Sequence, residues 1–401
     1  MPGPSTPSPS GPVDPARELA ARTRTFVEES VIPVESRLGG NVHGGPEDVR
    51  DGLQAAAQAE GLFCPQAAVA DGGLGLTRLQ QSFVLEAAGY SLLGPLALNC
   101  AAPDEGNMHL LAECATDDQR ERYLLPLVAG AARSCFAMTE PAPGAGSDPA
   151  ALRTSAVRTA DGGWSITGHK WFITGAVGAS FTICMARTSG APGDRSGATM
   201  FLVDAGTPGL ELERNIGSLD SSFFGGHGEL RFTECRVGPD AVLGEVDQGF
   251  RYAQTRLAPA RLTHCMRWLG IAQRSQDIAV ARVADRQAFG SRLGDLGMVQ
   301  QHIADTEIEL TASRALVREA AAALDAGADA GQLSSITKTF VAEAVWRAVD
   351  RSLQVCGALG VSEDLPLGLF LREVRPFRIY DGPSETHRWA IAKRVLRQAR
   401  G

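Results

Sequence analysis

The residues from Ile379 to Arg388, Ile-Tyr-Asp-Gly-Pro-Ser-Glu-Thr-His-Arg, set one carboxylate, Asp381, on a tight turn between two stretches of helical pattern. Asp bonds its own backbone in such turns, Gly takes positive φ, and Pro opens the next element. A carboxylate fixed there can serve as a general base toward an acidic C–H brought beside it. A solvated turn acid carries the same signature, so the rest of the chain must supply a substrate and an acceptor if Asp381 is to do chemistry. Other chemistries find less support. No G-x-G-x-x-G follows a strand, and Gly163 to Lys170 (Gly-Trp-Ser-Ile-Thr-Gly-His-Lys) only imitates a phosphate loop, because His169 displaces the lysine. There is no H-E-x-x-H and no G-x-S-x-G. The seven histidines are scattered, and the eight cysteines form no C-x-x-C pair, so no metal site is expected.

The elements that must position Asp381 come in three blocks. From Asp14, a good N-cap followed by Pro15, the pattern is helical, with Leu19, Phe26, Val27 and Val31 as an apolar stripe. Further helices are expected over about 46–60, 76–91 and 117–129. Near Ser134 the period becomes alternating, and strands are expected at Cys135–Thr139, Trp164–Thr167, Trp171–Thr174, Phe181–Ala186, Met200–Val203 and Glu229–Phe232. After Gly249 helices return, with Arg261–Phe289, Met298–Ala326 and Ser334–Leu359 long enough for a bundle. The reading is α+β, with a proline-rich tail without a core over 1–13, a helical domain over 14–133, a β domain over 134–245 and a helical bundle over 246–401.

Composition narrows the classes. The 401 residues, 44% hydrophobic and 21% charged, suit an ordinary globular protein of two or three domains. A net charge of −8 argues against nucleic acid as a partner. The local run of Arg388, Lys393, Arg394, Arg397 and Arg400 reads first as a solvated or subunit-facing helix side. Only three lysines (Lys170, Lys338 and Lys393) stand among the 38 basic residues, which reads as compositional bias. The unpaired cysteines suit a reducing compartment, no secretory signal or membrane-length apolar run is visible, and a cytoplasmic location is expected.

Three separated segments, in order, resemble the acyl-CoA dehydrogenase family of flavoproteins. The first is Cys-Phe-Ala-Met-Thr-Glu-Pro-Ala-Pro-Gly-Ala-Gly-Ser-Asp, Cys135 to Asp148. The second is Trp-Ser-Ile-Thr-Gly-His-Lys-Trp-Phe-Ile-Thr-Gly-Ala, Trp164 to Ala176. The third joins Asp285-Arg-Gln-Ala-Phe-Gly290 to Gln354-Val-Cys-Gly-Ala-Leu-Gly360 and the turn after Tyr380. The resemblance implies the family's fold, with a barrel-like middle β domain and a C-terminal four-helix bundle. It implies FAD, with Phe136, Met138, Thr139, Phe172 and Thr174 around the flavin ring and Thr174 near N5. Arg286, Phe289, Gln354 and Gly357 would reach the ADP half of a cofactor bound mainly by another subunit, hence a homodimer or homotetramer. Ser147, Arg261, Tyr380 and Gly382 would meet the thioester substrate.

The same resemblance implies α,β-dehydrogenation of an acyl-CoA in fatty acid metabolism, or of an acyl-carrier-protein thioester, with electrons passed to an electron-transferring flavoprotein. Asp381 would be the base, where most members carry Glu. The stretch Pro259–Arg267, the Gln354 loop and Ile379–His387 look most like the Asp-base branch that in mammals is fused to kinase-like domains, and nitroalkane oxidase is a relative with Asp in the same role. Two alternatives stay open: an oxidase of the same fold acting on a nitroalkane or thioester, and a flavin- or thioester-binding homologue without catalysis.

Overall fold

The computed structural model describes residues 14–44 and 47–399; the segment 1–13 read as a tail lies outside the described residues. Among the described residues eight α-helices come first: α1 (Pro15–Phe26), α2 (Ile32–Leu38), α3 (Glu47–Ala59), α4 (Arg78–Ala88), α5 (Gly94–Ala97), α6 (Asp104–Cys114), α7 (Asp117–Gln119) and α8 (Leu125–Val128). The Asp14 carboxylate caps α1 by accepting from Ala16 N at 3.0 Å. Capping boxes, Thr77 with Gln80 and Thr116 with Gln119, start α4 and α7. Helix α6 was not foreseen because it carries no apolar stripe: Glu105 and Asn107 face inward beside Met108 and Leu111. Their polar groups are matched by Thr263, Arg267 and Arg256 from far along the chain.

Eight strands follow: β1 (Ser134–Ala137), β2 (Ser155–Arg158), β3 (Trp164–Thr174), β4 (Phe181–Arg187), β5 (Ala198–Asp204), β6 (Leu210–Asn215), β7 (His227–Val237) and β8 (Val242–Leu243). They form one sheet in the order β6-β7-β3-β2-β4-β5-β8, with β1 parallel to β4. Strand β6 escaped sequence reading because it is an exposed edge whose residues are nearly all solvated, so no alternation marks it. The pairing of β3 with β7 slips between Lys170 and Ile173, a bulge that turns the intervening aromatics out of the pleat.

The last region holds α9 (Gly249–Asp285), a short hairpin of β9 (Gln287–Ala288) and β10 (Ser291–Arg292), then α10 (Gly297–Asp325), α11 (Gly331–Cys356), α12 (Leu367–Val374) and α13 (Ser384–Gln398). The sequence reading started the first bundle helix at Arg261, yet α9 begins twelve residues earlier and runs through Pro259. Proline removes one helical hydrogen bond, but Pro259 is buried, and Ser334 of α11 donates to the neighbouring Ala258 carbonyl at 3.1 Å, so tertiary packing carries the helix across. At its far end α9 stops at Asp285, and Phe289 sits in the hairpin turn with φ +55° rather than in a helix.

Two of the three lysines are fully buried, which corrects the reading of lysine as mere bias. Lys170 donates to Glu140 Oε1 at 2.9 Å and to Met138 O at 3.0 Å. Glu140 also accepts from the backbone N–H groups of Ala145, Arg153 and Thr154, so one ion pair pins the loop after β1 to β3. Removing one member of a buried pair strands the other. Lys170→Met is therefore expected to cost about 3–5 kcal/mol of stability, read as a lower denaturant midpoint. Burial pushes the Glu140 carboxyl up, but the Lys170 charge and the hydrogen bonds at Thr154 and Lys170 outweigh it and hold it below 4.5. Its contribution is thus present above the ordinary carboxylate range and lost as pH falls through the lowered folded value, and Lys170→Met should remove that acid-side loss.

Candidate active site

Asp381 lies between a short helical turn (Pro376–Arg378) and α13, in left-handed backbone at φ +52°, with Gly382 following at φ +97°. A Cβ on Gly382 would stand 2.6 Å from His387 Nε2, so only glycine fits. Both carbonyls of the turn are tied down. Asp381 O accepts from Arg261 Nε at 3.0 Å and from His387 Nε2 at 3.1 Å, and Gly382 O accepts from Lys338 Nζ at 2.7 Å. Burial lowers His387 to about 4, so its ring is neutral and its single N–H goes to that carbonyl. Among the described residues the Asp381 N–H has no acceptor.

The carboxylate itself is held from a distance. Asp381 Oδ2 is buried without a hydrogen bond, and His264 Nε2 is 3.5 Å away. Burial, then the charges of Arg267, Arg256 and Lys338, push His264 well below its ordinary value, so it is neutral. Arg267 Nη2 faces His264 Nδ1 at 3.1 Å and can only donate, which leaves the imidazole proton on Nε2, toward Asp381. Arg267 is in turn fixed by Glu105 at 3.2 Å and by Cys100 O at 2.7 Å. Burial depresses Arg256, Arg261 and Lys338, the last to about 8, while the Asp381 charge opposes each shift. Asp381 is thus an unpartnered acceptor in a cationic shell. Sequence reading gave no role to His264, Arg267 or Lys338; the first two lay inside the Pro259–Arg267 stretch that carried the resemblance, and the rarity of lysine in an arginine-rich chain was the signal for the third.

Tyr380 turns inward. Its hydroxyl accepts from Trp268 Nε1 at 2.5 Å, and its ring packs on His264 and edge-on to Phe223. A cleft partly open to solvent runs beside His264, walled by Leu96, Pro103, Phe223, Phe224, Trp268 and Ile271. Its polar wall includes Asp104, Ser134 and Arg133. Burial pushes Asp104 up despite hydrogen bonds from Ser134.

The expected ring contacts gather around the β3 bulge. Thr139 Oγ1 donates to Trp171 O at 2.6 Å, and Trp171 N returns a bond to Thr139 O at 3.1 Å, which draws the loop after β1 against the bulge. Phe172 sits there in left-handed backbone, φ +52°, and is 48% exposed. Such strain on a bulky residue persists where the surroundings impose it, and an exposed aromatic face beside two threonine hydroxyls fits a planar, polar ring such as a flavin. Thr174 Oγ1 lies 3.0 Å from His227 Nδ1. Phe136 is half-buried in β1, with the Arg256 guanidinium 4.2 Å over its ring. Met138 presents its carbonyl to Lys170. Ser147 is exposed on the following loop.

The other expected cofactor contacts stand apart. Arg286 and Phe289 lie exposed at the end of α9 and in the hairpin, Phe289 at 92%, while Gln354 and Gly357 are exposed at the end of α11. Among the described residues no hydrogen bond or ring contact joins them to Thr139, Phe172 or Thr174. Arg261 reaches the turn from beneath, through the Asp381 carbonyl.

The chain matches three family models: "Acyl-CoA dehydrogenase, N-terminal domain" over residues 14–131, "middle domain" over 135–235 and "C-terminal domain" over 247–396. It is 39% identical over 328 residues to "Probable acyl-CoA dehydrogenase FadE2" of Mycobacterium tuberculosis, covering 80% of each chain. It is 35% identical over 406 residues to "Acyl-CoA dehydrogenase family member 10" of Mus musculus, covering 97% of this chain but only 38% of the longer mouse protein. In fold it is similar to butyryl-CoA dehydrogenase from Megasphaera elsdenii, with a TM-score of 0.85 and 24% identity over 96% of this chain and 100% of that one.

Proposed function

The chain belongs to the acyl-CoA dehydrogenase family, and from that premise we propose that it oxidises an acyl-CoA thioester to the trans-2-enoyl thioester with Asp381 as the base. The observation that carries this is the buried, unpartnered Oδ2 of Asp381, held on a turn whose two carbonyls are immobilised. Oδ2 makes no hydrogen bond, and with the neutral His264 Nε2–H standing off at 3.5 Å it keeps a lone pair for the α-proton. The free Asp381 N–H is the natural donor to the thioester oxygen where charge develops. The apolar walls of the cleft would exclude water from the acyl chain.

FAD fits the bulge of β3, with Phe172 against the ring and Thr139, Thr174, Phe136 and Met138 at its edge. Bound there, it supplies the acceptor for the hydrogen leaving the β-carbon. Arg286, Phe289, Gln354 and Gly357, which are exposed, suit the ADP half of a cofactor held by a second subunit, and that reading implies a dimer or tetramer. Ser147, Tyr380 and Gly382 would flank the entering thioester. The physiological acceptor is assigned as an electron-transferring flavoprotein.

The expected result is that purified protein takes up FAD and that an acyl-CoA, added without oxygen, bleaches the flavin's visible band. Substantial oxygen consumption without an added acceptor would assign the chain to an oxidase instead. Failure to bind FAD would leave a thioester-binding homologue.

A further inference from the structure

A second buried chain of hydrogen bonds ends at Thr174. Asp220, before β7, lies 3.2 Å from His227 Nε2, and His227 Nδ1 lies 3.0 Å from Thr174 Oγ1. Asp220 and His227 are buried, at 3% and 8% exposure, and Asn215 Oδ1 fixes the His227 backbone by accepting from its N–H at 2.9 Å. Ser218 Oγ donates to Asp220 Oδ1 at 2.5 Å. Burial pushes the Asp220 carboxyl up, but the hydrogen bonds from His227 and Ser218 outweigh it and hold it below its ordinary value, so it is ionised. An ionised carboxylate only accepts, so it takes the imidazole proton on Nε2. In the neutral imidazole Nδ1 is then a bare lone pair, and among the described residues the group placed to fill it is the Thr174 hydroxyl hydrogen. His43, whose ring meets His227 edge-on at 5.1 Å, keeps its buried Nε2 unpartnered and leaves the relay untouched.

We infer that Asp220 and His227 are positioning residues that set the direction of the Thr174 hydroxyl and thereby raise the reduction potential of the flavin. This rests on the proposed placement of flavin N5 beside Thr174. With its hydrogen committed to His227, Thr174 Oγ1 presents only lone pairs to the cofactor. Oxidised N5 is itself an acceptor and gains nothing from that oxygen, whereas reduced N5 carries a hydrogen and finds a partner. The relay therefore favours the reduced flavin by about one hydrogen bond, roughly a tenfold gain in the reduction equilibrium.

The test is the two-electron midpoint potential of FAD bound to the full chain, measured spectroelectrochemically at one pH. Thr174→Val, which keeps shape and loses the oxygen, should lower the reduction equilibrium about tenfold, equivalent to about 30 mV for two electrons. Asp220→Asn gives the sharper sign. Because Ser218 donates to Oδ1, the new amide nitrogen takes the place of Oδ2 and donates to Nε2. The imidazole proton moves to Nδ1, Thr174 turns its hydrogen toward N5, and the potential falls. Loss of a negative charge without a relay would move it up instead. In Thr174→Val the Asp220 substitution should no longer lower the potential, since the link is gone. A rise in Asp220→Asn, or equal potentials in wild type and Thr174→Val with FAD bound, overturns the relay alone. A chain that takes up no FAD overturns the placement of the flavin and the relay with it.

Discussion

Asp381→Asn is expected to bind FAD and acyl-CoA but to bleach the flavin about a thousandfold more slowly than wild type, the loss typical of removing a general base. The amide keeps the shape of the side chain and leaves Arg261, His387 and Lys338 on their backbone carbonyls, so the turn itself is not disturbed. What disappears is the proton-accepting Oδ2. Anaerobic stopped-flow bleaching isolates this step from later electron transfer. Wild-type bleaching rates in the variant would remove Asp381 as the base. Asp381→Glu reaches about 1.5 Å further and keeps a carboxylate, so it should fall between the two, within about a hundredfold of wild type.

Lys338→Met should lower kcat about a hundredfold while KM changes little, because the turn is displaced rather than the binding cleft. Lys338 is fully buried in α11, its ammonium on Gly382 O and 5.2 Å over the Phe377 ring. Met fills the same volume but leaves Gly382 O unsatisfied, at a cost of about 1–3 kcal/mol. The pH dependence separates this role from simple packing. Burial lowers the Lys338 ammonium from 10.5 to about 8, so wild-type kcat should decline through about pH 8 as the donor loses its proton and charge. Stability should move the other way. Between about 8 and 10.5 the unfolded chain binds the extra proton, so the burial penalty that acts below pH 8 is relieved as pH rises. Lys338→Met should lack both the decline near pH 8 and the alkaline gain in stability. A variant whose pH profile matches wild type would show that another group titrates there.

These expectations depend on contacts that a linear reading reaches only in part. The Asp381-Gly382 turn was legible because φ preferences are local: Gly382 does take positive φ, and so does Asp381. Thr139, Phe172 and Thr174 were named from two short segments, each within one strand or its loop. Of the groups around the carboxylate, Arg261 and Tyr380 were named, and His264, Arg267 and Lys338 were given no role. Lys338 meets the turn across 44 residues, Arg261 across 120, and Thr263 meets Glu105 across 158. No periodicity encodes such separations.

The helical, β, helical succession and the position of an acid on a tight turn were therefore determined by the sequence alone, because hydrophobic period and turn chemistry act over a few residues. Tertiary structure decided the rest. It buried two lysines under the loop after β1 and the Asp381 turn, carried α9 through Pro259, gave α6 a polar inner face, and set Asp220 against His227 and Thr174. The physical reason is common to all four. A buried polar group is stable only when a partner from elsewhere satisfies it, and that partner exists only once the chain has folded.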